Sequence, residues 1–386
     1  MKNIIFLCLL LLGYTGCSKE QPSPNSPKIF WKTKLLENTK SEGSFNPVLY
    51  NDLVIYSTTP SNGNPNTIIA LNKNNGTKVW EWKDAINTSI FISFAVTYVK
   101  DNILIVCAKR DVYAIDMNSG KTIWKNSVPD GAYDVLNGFG DYIFHHRSAL
   151  SKTTASIVMA NIHDGNWRTI YADTPKNGKT IIFSPFHIIK NLQGDTVITF
   201  SRNVSEFDYS KTLGFLTKYN LTKDSVIFNK QMSDYPLDLY FYKRDIMVLS
   251  NKELAYYDTE TMNKKWIEYN YVPRAVTNDG RVIGEVFSNF TSDKDLKIIQ
   301  IEGMIRLLDI KNFKTSIQSN ALIQNNTLYF SNGTFHAYEM KMGNQIWELN
   351  SSNRFSLFDR ILTIDKEKDR IYTASYSEAI CFEAIK

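Results

Sequence analysis

The sequence is short of the residues that most often carry chemistry. Only four of its 386 residues are cysteine and five are histidine. No two cysteines are adjacent and no C-x-x-C-H occurs, which excludes c-type haem attachment. His145 and His146 are neighbours, but adjacent strand residues point to opposite faces, so one of them could serve a metal and not both. His163, His187 and His336 are scattered. There is no H-x-x-x-H, no G-x-S-x-G and no phosphate loop. "NGFGD" at 137–141 holds G-x-G, but no helical pattern follows it, so it reads as a turn. Lys and Arg number 44 against 39 Asp and Glu, a net charge of +5. No basic block is present, which speaks against nucleic acid as a partner. Beyond residue 20 no long segment repeats its apolar residues with the helical period. No catalytic residue, metal site or cofactor is expected.

What is abundant is one phrase. Residues 114–124 read "AIDMNSGKTIW", residues 70–80 "ALNKNNGTKVW" and residues 337–347 "AYEMKMGNQIW". Strand, Gly-containing turn and strand make a hairpin. A lone hairpin cannot bury its Trp, so the phrase requires neighbours like itself. Aligned on the third position, the polar anchors are Asn72, Asp116, Asn161, Asn220, Asp258, Asp309 and Glu339. Eight residues beyond them stand Trp80, Trp124, Thr169, Phe228, Trp266, Ile317 and Trp347. Four copies carry the turn glycine, at Gly76, Gly120, Gly165 and Gly343. The other three have Asp224, Met262 and Phe313 there. The spacing is that of four-stranded propeller blades.

The ends supply an eighth copy. "AICFEAIK" closes the chain with Glu383 at the anchor position and no room for a Trp. "KIFWKTKL" at 28–35 is an aromatic strand with nothing before it to pair with. The last blade is therefore expected to take its outer strand from the N-terminal end, with Trp31 as its Trp. This expectation is an all-β, eight-bladed propeller over 28–386; the count becomes seven or nine if a degenerate copy is misread. Cys107 and Cys381 fall two blades apart, too far for a disulfide.

Residues 1–16, with Lys2 and an apolar run from Ile4 to Leu12, read as a signal peptide too short to span a bilayer. "YTGC" at 14–17 resembles a bacterial lipobox, although Tyr14 replaces the usual Leu. That resemblance implies cleavage before Cys17 and its acylation, palmitate included. "SKEQPSPNSP" then reads as a flexible tether, residues 17–27, reaching at most about 35 Å. By analogy with enteric lipoproteins, Ser18 after the cysteine favours the outer membrane; the periplasmic side is the expected face, and "SKE" could instead direct surface exposure.

The repeated Ala, Asp, Gly-Lys and Trp resemble the tryptophan-docking repeat of pyrroloquinoline-quinone (PQQ)-like propellers, over nearly all of the chain after residue 28. The family holds both quinoprotein dehydrogenases and the BamB-like lipoproteins of β-barrel assembly. The resemblance implies that Trp31, Trp80, Trp124, Trp266, Trp347 and the four glycines dock blades and are structural. The adjacent cysteines seen beside the quinone in many dehydrogenases are missing. "SDKD" at 292–295 is the nearest approach to an oxygen-rich Ca²⁺ loop, and a solvated loop explains it as well. The resemblance therefore favours a monomeric, non-catalytic scaffold that binds envelope proteins, the assembly machinery included. A surface module for glycan and a PQQ dehydrogenase are the alternatives. Loops between second and third strands are uneven in length, and variable loops on a rigid frame carry function. Phe207, Tyr209, Phe287 and Phe290 in those loops are the candidate partner contacts.

Overall fold

The structure is a computed structural model. It describes residues 26–35, 41–42, 45–60, 67–84, 98–108, 111–128, 136–147, 154–175, 179–183, 186–206, 211–232, 236–243, 245–250, 253–277, 279–287, 294–311, 313, 317–350, 358–375 and 378–385. The strands form eight antiparallel sheets, each with a four-strand path, arranged as the blades of an eight-bladed β-propeller. Successive strands of a blade step from the channel outwards.

The pattern of burial explains the sequence pattern. The third strand of blade 2, Asp111–Asp116, is buried on both faces from Val112 to Ile115, because neighbouring blades cover both sides. It reads accordingly as a continuous apolar run. The outer strand, Lys121–Ser127, alternates exposed and half-buried residues, as a strand with one solvated face does. Blades 1 and 4 depart from the simple plan because their inner strands are split. In blade 4, Thr180–Phe183 and His187–Lys190 both pair with Thr196–Ser205.

The ring closes as the termini require. Ile29–Lys34 pairs antiparallel with Glu378–Glu383, with Trp31 opposite Cys381, and forms the outer strand of blade 8. Blades 8 and 1 are then sewn along their seam. Leu362 N donates to Asn46 Oδ1 at 3.3 Å, Tyr372 Oη to the Lys73 carbonyl at 3.2 Å, and Lys73 pairs with Asp365 at 3.4 Å.

The anchors have a common job. Asn72, Asp116, Asn161 and Asp258 each use a side-chain oxygen to accept the backbone N–H two residues on, at 2.8–3.0 Å. This is the turn chemistry that short Asn and Asp side chains perform. The next residue then donates its N–H to the turn between the first two strands: Met117 to Asn102, Ile162 to Asp141, Leu221 to Thr196. Both sets of turns therefore lie on one face of the ring.

That hydrogen bond corrects the reading of blade 6. There it runs from Ile301 N to the Gly280 carbonyl, so the anchor is Gln300 and not Asp309. Asp309 lies in the outer strand, Ile305–Ile310. Leu308, opposite Ile298, holds the Trp position in place of Ile317, and Met304 the turn position in place of Phe313. Blade 3 needs a smaller correction. In the other blades the Trp position faces the residue two before the anchor, as Trp80 faces Ala70 and Trp124 faces Ala114. In blade 3 the β-bulge comes later along the strand, and the residue facing Met159 is Arg168 rather than Thr169.

Neighbouring blades pack through apolar faces, as Ile55 and Ile68 of blade 1 do with Leu104 and Val106 of blade 2, and the docks add hydrogen bonds to that packing. Trp31 donates its indole N–H to the Lys73 carbonyl of the next blade at 3.1 Å, Trp80 to Met117 at 2.9 Å, and Trp124 to Ile162 at 2.7 Å. Each ring lies flat against the following glycine. A methyl group added at Gly76, Gly120 or Gly165 would stand 2.6–2.7 Å from a carbon of Trp31, Trp80 or Trp124 respectively. At Gly343 the neighbour is Ile310, because blade 6 has no Trp to offer. The left-handed turn does not by itself demand glycine. Asp224, Met262 and Met304 hold the same position at φ of 51°, 55° and 50°. Glycine is required where Trp31, Trp80, Trp124 or Ile310 closes to 2.6–2.7 Å of the place a Cβ would take. Trp266 is half-buried and packs in one cluster with Met304, and Trp347 stacks on Phe335 and meets Phe382 edge-on.

Candidate functional site

Phe207, Tyr209 and Phe290 lie outside the described residues, as does Cys17. Phe287 ends the second strand of blade 6, Arg281–Phe287, where an uneven loop begins. The support for the loop at 207–210 is well defined. Thr196–Ser205 and Thr212–Asn220 are the longest strands among the described residues, ten and nine residues, and pair in register from Val197–Asn220 to Ser205–Thr212. The half-strand Thr180–Phe183 braces the far end of this hairpin. Arg202 pairs with Asp173 of blade 3 and lies over the Phe215 ring at 4.7 Å. Glu206 N donates to the Lys211 carbonyl at 3.0 Å across the base of the loop. Blade 4 thus raises a braced hairpin on the face opposite the Gly turns.

The channel mouth on the turn face holds a basin of about 630 Å³ between the inner strands of blades 6, 7, 8 and 1. Asn46, Arg274, Thr277, Asp279, Asn320, Thr363 and Lys366 supply its polar groups. Asn320 Nδ2 donates to the Leu362 carbonyl at 3.0 Å, and Arg274 donates to Glu285, a fully buried carboxylate that also pairs with Lys294 at 3.3 Å and accepts Ile317 N at 3.1 Å. The basin's one carboxylate, Asp279, is taken by Arg281, whose guanidinium holds its carboxyl down at about 2. A Ca²⁺ site beside a quinone needs several oxygen ligands, and this lining does not fit one. Among the described residues no group of three or more His, Cys, Asp or Glu side chains could hold a metal. In "SDKD", Asp295 pairs with Lys311 at 2.7 Å.

Four of the five histidines pack, and His163 is exposed. His145 and His146 are buried with rings 6.2 Å apart and nearly parallel. His146 sits edge-on to Phe183 and Phe186, and burial, aided by His145, pushes its pKa down to about 3. His187 stacks on Phe241 at 4.3 Å, and His336 meets Asn332 Oδ1 at 3.0 Å. Cys107 and Cys381 are not joined in a disulfide, and burial pushes the pKa of each thiol up to about 12.

His146 gives a pH prediction. Its folded pKa lies below the unfolded value of about 6.5, so only the unfolded chain takes up the proton between the two. Its contribution is complete above about pH 6.5 and is lost progressively as pH falls towards 3, by an amount on the order of 4 kcal/mol. His146→Gln should therefore lose less stability than the parent between pH 7 and pH 4 in urea titrations. Equal losses would show that the buried imidazole does not set the acid limit.

Residues 23–142 match the family model described as outer membrane protein assembly factor BamB. No curated protein matches the sequence. Among solved structures, the computationally designed Ika8 protein aligns over 93% of this chain and 100% of its own, at 12% identity and a TM-score of 0.62. Sqt1 of Saccharomyces cerevisiae aligns over 94% and 100%, at 10% identity and a TM-score of 0.63. BamB from Moraxella catarrhalis aligns over 94% and 98% at 12% identity, with a TM-score of 0.38 that bears no weight. At these identities the two closer alignments speak to fold alone. The Trp-on-Gly docks and the match over 23–142 make this eight-bladed propeller similar to the PQQ-like propeller repeat family.

Proposed function

We propose that the chain is a non-catalytic scaffold of the bacterial envelope, lipid-anchored through Cys17 to the periplasmic side of the outer membrane, which binds other envelope proteins in the assembly of outer-membrane β-barrels. The observation that carries this reading is the match of residues 23–142 to the BamB model. Two features support it. The polar groups of the channel basin are largely committed to neighbouring protein groups, Arg274 to Glu285, Asp279 to Arg281, Asn320 to the Leu362 carbonyl and Thr363 to the Pro47 carbonyl, which suits a frame better than a reaction centre. The braced hairpin of blade 4 rises on the face opposite the Gly turns, and the sequence between its strands carries the candidate contacts Phe207 and Tyr209.

The test is a mild-detergent pull-down of the acylated protein from its own outer membrane, with bound proteins identified by mass spectrometry. A barrel-assembly subunit should be recovered with the parent and lost when residues 207–210 are replaced by Gly-Ser. The replacement is confined to those four because Arg202–Ser205 are braced strand. Recovery of the bait alone at low salt would sink the scaffold reading. Cleavage of the protein by protease added to intact cells would sink the periplasmic placement.

A further inference from the structure

We propose that the crevice between blades 3 and 4 on the turn face binds a segment of a partner protein that carries one aromatic side chain flanked by carboxylates. This lies on the face opposite the blade 4 hairpin and stands independently of the scaffold reading above.

The argument begins with a missing dock. At seven of the eight Trp positions the residue is large and apolar: Trp31, Trp80, Trp124, Phe228, Trp266, Leu308 and Trp347. Blade 3 alone places a charged residue there, the exposed Arg168. The receiving turn has changed with it, since Asp224 stands where glycine would admit a ring. Both halves of the dock are altered, and an open crevice of about 360 Å³ remains. That is within the range of about 300–1,000 Å³ typical of ligand pockets. The next dock shows the contrast. Between blades 4 and 5, Phe228 fills the position, Lys218 is tied to the Thr259 carbonyl, and only about 170 Å³ is left.

The lining selects the occupant. Phe139, Phe144, Met159 and Leu221 give an apolar floor. The Leu221 carbonyl holds the place of the Lys73, Met117 and Ile162 carbonyls that accept indole N–H groups elsewhere, because Leu221 N donates to Thr196 as Met117 N does to Asn102. An aromatic ring with a polar edge suits that surface. Arg168 and Lys190 also line the crevice, and neither has a carboxylate partner among the described residues. Asp141, also in the lining, is already engaged by Lys100 and by His163 at 3.8 Å. Two cations beside an apolar slot complement an aromatic residue with acidic neighbours. The crevice opens to solvent past Tyr142, 42% exposed, with the two cations in its lining. An open slot of this kind fits one side chain and its charged neighbours on a partner segment.

The probe is a phage-displayed library of random nonapeptides, selected on the immobilised full chain. Enriched peptides are resynthesised with fluorescein and their binding measured by anisotropy. They should share an aromatic residue flanked by Asp or Glu. Their affinity should fall at least ten-fold on R168W/D224G, which rebuilds the dock from within, and at least ten-fold on R168E, which keeps the crevice and reverses its charge. Thermal melts of both variants confirm folding, and the rebuilt dock should melt no lower than the parent. The proposal is overturned if no peptide is enriched, if enriched peptides bind R168W/D224G as tightly as the parent, or if they lack acidic residues. It is equally overturned if the chain dimerises and both variants abolish the dimer, since the occupant would then be a second copy.

Discussion

Gly120→Ala is expected to be among the most damaging single-methyl additions to this ring, costing about 2–5 kcal/mol. Two terms contribute. Holding a Cβ in the left-handed region costs about 1–2 kcal/mol. Pressing it into a packed ring costs about 1–3 kcal/mol more, since over-packing forces neighbours off their rotamers. The second term rests on the 2.6 Å approach to Trp80, whose indole is held by its hydrogen bond to the Met117 carbonyl and cannot swing aside without breaking it. Gly140 and Gly194 separate the terms. They too have positive φ, 59° and 83°, but a Cβ on either would meet nothing within 4 Å. Gly140→Ala and Gly194→Ala should show only the backbone cost, about 1–2 kcal/mol. Urea denaturation of the three variants decides the matter. If all three lose the same stability, the ring contact contributes nothing and the glycines are there for the turn alone. Trp80→Leu combined with Gly120→Ala should cost less than the two changes summed, because the pair shares one contact.

The same contact explains how much of the fold could be read in advance. Wherever a Trp ring lies on a turn, the receiving copy spells a polar anchor and then glycine four residues on, and the preceding blade supplies the Trp. Those copies were legible, and so was the closing strand, because Trp31 and the truncated phrase at Glu383 each lacked what the other had. Blade 6 was misread because its dock uses Leu308 and Ile310, while Gln300 is too long for the Asx turn that marks an anchor. Asp309, after two leucines, imitated one. Blade 3 slipped by one residue because a β-bulge changes register without changing composition. The crevice it leaves was invisible, since an arginine on an outer strand looks like any solvated charge until its strand partner is known. The candidate contacts Phe207, Tyr209 and Phe290 fall in loops outside the described residues, where aromatics have no periodic neighbours to fix their direction. The split inner strand that braces the blade 4 hairpin was not legible either. Pro185 interrupts what would otherwise be one apolar run, and nothing local says that both halves pair with the same neighbour.

Removing the closing strand should cost more than any point change. A chain that starts at residue 37 leaves Glu378–Glu383 as an open edge and uncovers Tyr372, Ala379 and Cys381, which Trp31 and Leu35 cover in the intact ring. Trp31→Ala alone should cost about 3–5 kcal/mol, the usual loss for a large buried aromatic. It removes the ring, its hydrogen bond to the Lys73 carbonyl, and the surface against which Gly76 is packed. Trp124→Ala should cost less, since Trp124 is only half-buried, although its bond to Ile162, at 2.7 Å, is shorter than the 3.1 Å bond of Trp31. The shortened chain is expected to aggregate through the open edge. A synthetic peptide of residues 26–36 added in excess should restore a cooperative melt, with a midpoint that rises with peptide concentration as binding to the folded state alone requires. A shortened chain that melts cooperatively at the parent's temperature without peptide would mean that blade 8 stands on three strands. Rescue by a peptide carrying Ala at position 31 as good as by the parent peptide would place the closure in backbone pairing rather than in the dock. The expected order, parent peptide far better than the Ala peptide, follows from the ring's own construction: Trp31, Trp80 and Trp124 each tie one blade to the next through a ring on a turn glycine, and the last blade borrows its Trp31 from the other end of the chain.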